Sequence, residues 1–262
     1  MPSAWVLVVG MHRSGTSATA GVLHGLGLSL PADPMTERED NPEHHESVSL
    51  TDVNDGILGL LGGTWDIPPA LPPGWEKGTD RVAIMQLAAR VAAAAFPRPE
   101  VAIWKDPRNS LLLPFWAQVL NPIVGIVLPW REPLAVARSL ETRDRMPVDQ
   151  GLALWHRYNE AALRNSRSYD VLGVNYDDLL RDPKSTTTRA AAWLQKVLPG
   201  YVLDAARVAD AADTVSARLR HEHGDGQPVP TEYEDLMTRL TALSGRHPLV
   251  DAGAGPGQSQ AL

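Results

Sequence analysis

Residues that could hold an anion lie in a short turn near the start of the chain. The turn, residues 10–17, reads GMHRSGTS and follows an apolar run at residues 5–9. A stretch of small and apolar residues, 18–28, comes directly after it. A strand, a tight turn and a helix start in this order aim backbone N–H groups and the positive end of the helix dipole at an anion. The pattern therefore predicts a phosphate-binding loop; the alternative is an ordinary glycine-rich connection.

The residue at the position of the P-loop lysine indicates which kind of phosphate compound the loop binds. Gly10 and Gly15 have the spacing of a nucleotide-hydrolysing P-loop, but Thr16 stands where that motif has its lysine. The cation of the loop is Arg13, three positions earlier. A nucleoside triphosphatase without the lysine would lose its main contact with the γ-phosphate. The loop is therefore expected to bind a phosphate group without the usual triphosphate and magnesium.

Composition narrows the possible functions. The chain of 262 residues has a net charge of -7 and no basic stripe, which argues against a nucleic-acid surface. It contains no cysteine, which excludes disulfides, thiolate metal sites and cysteine nucleophiles. We expect no metal requirement. No apolar run is long enough to span a bilayer, and no signal peptide is recognisable, so the expectation is a soluble, cytoplasmic protein.

The order of apolar and amphipathic segments predicts an α/β fold. Continuous apolar runs at 5–9, 101–104, 123–128 and 171–174 have the character of buried strands. Helical patterns lie between and after them, at residues 81–96, 110–120, 133–143, 147–169, 184–198, 201–211 and 231–243. Alternation of this kind predicts a P-loop-type parallel central sheet flanked by helices on both faces.

A single domain over residues 1–250 is the simplest organisation, with a flexible tail at 251–262. Residues 31–78, rich in proline, glycine and acidic side chains, interrupt the strand–helix pattern. We expect this insertion to form a lid or acceptor site containing one helix, over about 42–61. Asn41 would cap this helix and Pro42 would be its first residue.

Three cationic side chains directly follow predicted strands: Arg13, Lys105 and Arg131. Ligands of open parallel sheets bind beyond the carboxyl ends of the strands, so the three should share one rim and form a polyanion site. Arg131 lies in a WREP sequence before a predicted helix, and Ser139 follows two turns later. Both could face one ligand; alternatively, Arg131 pairs with a carboxylate such as Glu132.

Taken together, these motifs resemble the sulfotransferases that use 3′-phosphoadenosine 5′-phosphosulfate (PAPS). The RSGTS sequence at residues 13–17 is similar to the family's 5′-phosphosulfate loop, and Arg131 with Ser139 to its 3′-phosphate-binding pair. The WKDPR sequence at 104–108 resembles the strand end that carries a lysine near the sulfuryl group. The YDDLLRDP sequence at 176–183 resembles an element whose tyrosine lies near the nucleotide, and LRH at 219–221 a further bacterial element.

The resemblance implies a set of donor-binding residues. Arg13 would neutralise the leaving phosphate, Lys105 the sulfuryl oxygens, and backbone N–H groups of the loop the 5′-phosphate. Arg218 or Arg220 would close over the nucleotide, unless they belong to a solvated basic helix face. The implied set is Arg13, Ser14, Gly15, Thr16, Ser17, Arg131, Ser139, Tyr176, Arg218 and Arg220.

The general base is harder to assign from the sequence. Many cytosolic members of the family have a histidine soon after the strand-end lysine, where this chain has Arg108. The NPEHHE sequence at 41–46 resembles an N-P-x-x-x-E element of bacterial members and offers Glu46. On a helix from Pro42, Glu46 would lie on the apolar stripe and need a partner or a raised pKa, which suits a base. An ion pair with an arginine is the alternative for Glu46, and His45 is the second candidate base.

The sequence thus predicts an enzyme that moves a sulfuryl group from PAPS to an acceptor hydroxyl by in-line displacement, leaving adenosine 3′,5′-bisphosphate (PAP). The acceptor, a small molecule, lipid or sugar, and the oligomeric state are not defined by the residues. Two alternatives remain open: a P-loop kinase for a small metabolite, and a non-catalytic nucleotide-binding module.

Overall fold

The computed structural model of the protein describes residues 2–35, 44–78, 81–97, 101–202, 204–215 and 231–244. Its centre is a sheet of four strands, all parallel, in the order β2-β1-β3-β4. The strands are β1 (Ala4–Val8), β2 (Val101–Lys105), β3 (Ile123–Trp130) and β4 (Val171–Asn175). The predicted α/β class with a parallel central sheet is confirmed.

Both faces of the sheet are covered, because successive strand residues point to opposite sides. Trp5 and Leu7 of β1 lie in one buried cluster, and Val6 and Val8 in another. A strand buried on both faces needs apolar residues throughout, which explains the continuous apolar runs in the sequence.

Ten α-helices surround the sheet within the part of the chain that the structure describes. They are α1 (Thr16–Gly25), α2 (Val48–Leu60), α3 (Arg81–Ala95), α4 (Asn109–Val119), α5 (Pro133–Asp144), α6 (Val148–Asn165), α7 (Tyr176–Arg181), α8 (Pro183–Val197), α9 (Ala205–Asp213) and α10 (Glu234–Leu243). Two short 3₁₀ turns, Trp75–Lys77 and Thr231–Tyr233, precede α3 and α10. Helices α2 to α6 and α10 contribute to the cluster that contains Trp5, and α1, α7, α8 and α9 to the cluster that contains Val6.

The helix of the insertion begins later than expected. Residues 44–46 are not helical, and α2 begins at Val48 with Ser47 as its N-cap, whose hydroxyl accepts from the Leu50 N–H at 3.2 Å. The backbone before the cap pairs instead with the start of the insertion: the Met35 N–H donates to the Glu46 carbonyl at 2.8 Å. The prediction of a helix from Pro42 through Glu46 is therefore wrong over its described part, because Glu46 pairs with Met35 and His45 has a left-handed backbone. Asn41 and Pro42 lie outside the described residues.

Three further predictions concern the domain organisation. The single domain over 1–250 and the lid role of 31–78 stay predictions, and the tail at 251–262 lies outside the described residues. Among those described, no helix is long and apolar enough to cross a membrane.

A buried hydrogen-bond network fixes α2 to the carboxyl end of β2. The Asn54 side-chain amide donates to Asp106 Oδ2 at 2.9 Å and to Asn109 Oδ1 at 3.0 Å. Its carbonyl oxygen accepts from Trp116 Nε1 at 2.7 Å. Asn54, Asp106 and Asn109 are fully buried, so each of these bonds replaces contacts with water that the groups have lost. This network decides where the insertion helix sits relative to the sheet.

Replacing Asn54 by alanine is expected to destabilise the protein by about 3 kcal/mol, because several buried polar partners lose their hydrogen bonds at once. Urea unfolding at neutral pH measures the change. The matched control is Asp52→Ala on the exposed face of the same helix, with an expected change within about 0.5 kcal/mol. Equal stability of the two variants would contradict the role of the network.

Candidate functional site at the carboxyl edge of the sheet

The turn between β1 and α1 requires an unusual backbone. Gly10, Arg13 and Gly15 all have positive φ, of 101°, 65° and 81°. A Cβ atom at Gly10 would lie 2.5 Å from the Pro129 carbonyl oxygen, and one at Gly15 would lie 2.1 Å from the Tyr176 ring. The two glycines are therefore needed both for conformation and for space.

The N-terminus of α1 lies at the end of this turn. Gly15 is the N-cap and supplies no side-chain cap, and the first turn contains no acidic residue. The Ser14 hydroxyl is buried and has no hydrogen-bond partner among the described residues. Backbone donors at a helix start together with an orphaned buried hydroxyl are the features that an anionic group fits.

Arg13 and Arg131 each contact a side chain from another element. Arg13 Nε donates to Ser139 Oγ of α5 at 2.8 Å. The Arg131 guanidinium lies over the Tyr176 ring, 5.3 Å from its centroid, and this ring also lies against Gly15. Burial raises the pKa of Tyr176, which the charges of Arg131 and Arg13 partly oppose, so the phenol stays neutral. Four residues predicted from separate motifs therefore lie together.

Ser139 contacts the loop arginine in this structure, and its predicted bond to a 3′-phosphate stays a prediction. The Glu132 carboxylate accepts from the Leu134 N–H at 3.0 Å and the Ala135 N–H at 2.7 Å. Glu132 is thus the N-cap of α5, and this fixes the start of the helix that carries Ser139.

Lys105 ends β2 and points toward the α1 N-terminus. Its side chain is 1% exposed, and its Nζ lies 2.8 Å from Glu46 Oε1. It also donates to Ser17 Oγ at 3.1 Å, while Ser17 Oγ donates to the His44 carbonyl at 3.3 Å. Since β1, β2 and β3 are parallel, Arg13, Lys105 and Arg131 stand at or after the carboxyl ends of neighbouring strands. That the three form one polyanion site stays a prediction.

Glu46 has a partner, but the partner is a lysine rather than an arginine. Besides Lys105, its Oε2 lies 3.2 Å from His44 Nδ1. Burial alone would raise the pKa of Glu46, but Lys105 and the His44 hydrogen bond outweigh it and hold the pKa well below the usual 4.5. Glu46 is thus a buried, ionised carboxylate that lies before α2, and not on its apolar stripe.

The remaining predicted residues divide into two groups. His45 is half-buried with a positive φ of 52°, and its role as the second candidate base stays a prediction. Arg218 and Arg220 lie outside the described residues.

Arg108, which occupies the position of the family's histidine, has a structural role. Its Nε and Nη2 donate to the two oxygens of Asp55 at 2.5 and 3.2 Å, and its Nη1 donates to Asp106 at 3.1 Å. Burial would lower the pKa of Arg108, but the two carboxylates raise it further above its usual value. Burial raises the pKa of Asp106 although Arg108 opposes the effect. Arg108 therefore joins α2 to the end of β2 as a permanent cation.

His12 is a site residue that the sequence reasoning missed. Its ring is 9% exposed and lies against Trp65, with centroids 4.6 Å apart, and against the edge of Tyr158, at 5.6 Å. Its position beside Arg13 in the loop was the available signal, but sequence spacing does not report which way a loop side chain points. In the described part of the chain, no group of three or more acidic or histidine side chains has the arrangement of a metal site.

Comparisons with known proteins identify the fold of the chain. No family model and no curated protein sequence matches the chain. Two similar solved structures are the sulfotransferase domains of the Synechococcus PCC 7002 olefin synthase and of the curacin biosynthetic pathway. Their identities are 18% and 15%, and their TM-scores 0.50 and 0.52. The matches cover 94% and 92% of this chain and 96% and 98% of those domains. The chain therefore has the sulfotransferase fold, as the motifs predicted.

Replacing Glu46 by glutamine is expected to lower stability at neutral pH by about 3 kcal/mol, because Lys105 would then be a buried charge without its counterion. The folded-state pKa of Glu46 lies below its unfolded value, so its contribution is present above about pH 4.5 and is lost as the pH falls. The stability difference between wild type and Glu46→Gln should therefore shrink toward pH 3 in urea unfolding.

The control for this prediction is Glu160→Gln, which breaks the half-exposed pair of Glu160 with Arg239. Such a pair contributes at most about 1 kcal/mol. A pH-independent difference for Glu46→Gln, or one as small as that of Glu160→Gln, would contradict the buried ion pair.

Proposed function

We propose that the protein is a sulfotransferase that moves a sulfuryl group from PAPS to an acceptor hydroxyl. The observation that carries the proposal is the placement of Arg13, Lys105 and Arg131 at the carboxyl edge of one parallel sheet, beside the uncapped start of α1. The fold is that of sulfotransferase domains. A small-molecule kinase or a non-catalytic nucleotide-binding module would need another reason for the three cations.

The side chains present fit an adenosine nucleotide with a phosphosulfate. The donors at the start of α1 and the buried Ser14 hydroxyl suit the 5′-phosphate. Arg131, which lies over the Tyr176 ring, suits a second phosphate at the 3′ position, for which Ser139 is the proposed hydroxyl donor. Arg218 and Arg220 are proposed to contact the same nucleotide.

Fixed cations can serve this transfer without a metal ion. A sulfuryl group carries less negative charge than a phosphoryl group, so less charge has to be neutralised in the transition state. Arg13 would stabilise the charge that develops on the leaving phosphate, and Lys105 the sulfuryl oxygens. Ser17 and Glu46 hold the Lys105 ammonium in place. Since Thr16 replaces the P-loop lysine, the loop lacks the side chain with which P-loop nucleotidases contact the γ-phosphate.

The insertion is proposed to form the acceptor side of the site. Trp65 and Trp75 are half-buried and pack against the main core, and Trp65 contacts the loop residue His12. This places an aromatic surface next to the donor-binding turn, which suits an apolar or amphipathic acceptor.

The first test is calorimetric titration with PAP, with adenosine 5′-phosphate and with ATP–magnesium. We expect tight binding of PAP, weaker binding of the monophosphate and little binding of ATP. The reverse preference would support the small-molecule kinase. Binding of PAP without any transfer from PAPS would support the non-catalytic module.

Replacing Arg131 by alanine should weaken PAP binding about 30-fold, or about 2 kcal/mol, because the 3′-phosphate loses a charge-assisted partner. Binding of adenosine 5′-phosphate should hardly change, since it lacks that phosphate. Arg164→Ala, an exposed arginine on α6, is the control and should bind both nucleotides as the wild type does. An equal loss for the two nucleotides would exclude the 3′-phosphate role.

A further inference from the structure

His12 is held in one orientation by aromatic neighbours on two sides. Its ring is tilted 50° against Trp65, and it meets the edge of Tyr158 at 73°. The Tyr158 hydroxyl is not available to the imidazole, because it donates to the Trp65 carbonyl at 2.7 Å. This hydroxyl bond also fixes the segment that carries Trp65. The imidazole is thus held in one orientation by packing, as the side chain of a functional site needs to be.

One nitrogen of this ring has no partner in the protein. His12 Nε2 is fully buried and makes no hydrogen bond with any described residue. Leaving a buried polar atom unsatisfied costs about 1–3 kcal/mol, so a folded protein rarely keeps such an atom without a use. Phenylalanine at this position would pack between the same two rings without that cost.

The charges around His12 keep its ring neutral. Burial, and then the cations Arg108, Arg143 and Lys105, lower the pKa of His12 well below 6.5, and only Glu46 acts in the opposite direction. A neutral imidazole carries one lone pair and can accept a proton. Both carboxylate oxygens of Glu46 already have partners, Oε1 in Lys105 and Oε2 in His44, so this carboxylate is in use as a counterion.

On the basis of the proposed function, we infer that Nε2 of His12 accepts the proton of the acceptor hydroxyl during sulfuryl transfer. The hydroxyl oxygen forms a bond to sulfur while the bond from sulfur to the bridging oxygen breaks, and the leaving 5′-phosphate takes that electron pair. The hydroxyl proton passes to Nε2 and gives an imidazolium, which returns the proton to solvent after the sulfate ester leaves. Glu46 then has a positioning role, through Lys105.

The tautomer of His12 tests this inference without donor or acceptor. The assignment requires a neutral ring with the proton on Nδ1 and the lone pair on Nε2. Long-range ¹H–¹⁵N spectra of the imidazole rings at about pH 7 distinguish this state, with the His12 signals identified by their loss in His12→Asn. A proton on Nε2, or an imidazolium at this pH, would overturn the inference even if PAP binds as proposed.

The kinetic test compares His12→Phe, which keeps a flat ring, with His12→Asn and Glu46→Gln. We expect single-turnover transfer from labelled PAPS to water or 2-naphthol to fall about 100-fold in both His12 variants. PAP affinity should stay within about 2-fold of wild type. His156→Asn, an exposed histidine on α6, is the control.

The pH profile separates the two candidate bases. In wild type the transfer rate should fall with decreasing pH as His12 becomes protonated. Glu46→Gln should show the same decrease, whereas the transfer rate of both His12 variants should not depend on pH in this range. The opposite pattern would make Glu46 the base. Wild-type protein that binds PAP yet transfers the group to neither acceptor would instead overturn the proposed function.

Discussion

The burial of the Lys105 ammonium is the constraint on which the arrangement of the site depends. A buried charge is tolerated only with a counterion and hydrogen bonds, since removing an ion from water costs several kcal/mol. Glu46 supplies the counterion and Ser17 a hydrogen bond. Glu46 stands just before the insertion helix, where its carbonyl accepts from the Met35 N–H and Ser47 is the N-cap. The ion pair with the buried cation at the end of β2 thus attaches the start of this helix to the sheet.

A second set of buried polar groups also attaches the insertion helix to the end of β2. Asp55 and Asp106 hold Arg108, and Asn54 binds Asp106 from the same helix, so α2 is attached to the end of β2 by charge and by hydrogen bonds. Since Glu46 directly precedes the cap of α2, rigidity of this helix is transmitted to the carboxylate beside Lys105. Arg108 is therefore used to hold the insertion helix against the end of β2.

Three cations on one rim also repel one another, and each has its own kind of partner. The Tyr176 ring contacts Arg131, and the Ser139 hydroxyl accepts from Arg13. These two neutral groups do not cancel the charges of the arginines, whereas Lys105 is paired with Glu46, so the positive field for an anion comes mainly from Arg13 and Arg131. His12, whose pKa is lowered by burial and by the neighbouring cations, stays neutral and adds no further positive charge.

The sequence by itself determined the α/β class, the four strands and the rim of Arg13, Lys105 and Arg131. These follow from local signals: a buried parallel strand needs continuous apolar residues, and a residue just after such a strand must lie at its carboxyl end. The resemblance of the motifs also led to the sulfotransferase fold. Such signals are read from neighbours along the chain, so no knowledge of distant contacts is needed.

Only the tertiary structure decided the partner of Glu46, the start of α2 and the surroundings of His12. The Asn-Pro pair at 41–42 is a strong local helix signal, but residues 44–46 are not helical, and residues 34–35 pair with Glu46 and Ser47 instead. Likewise, His12 contacts Trp65 and Tyr158, which lie 53 and 146 positions further along the chain. Burial and the charges that set a pKa arise from contacts between distant segments, and spacing along a sequence carries no record of them.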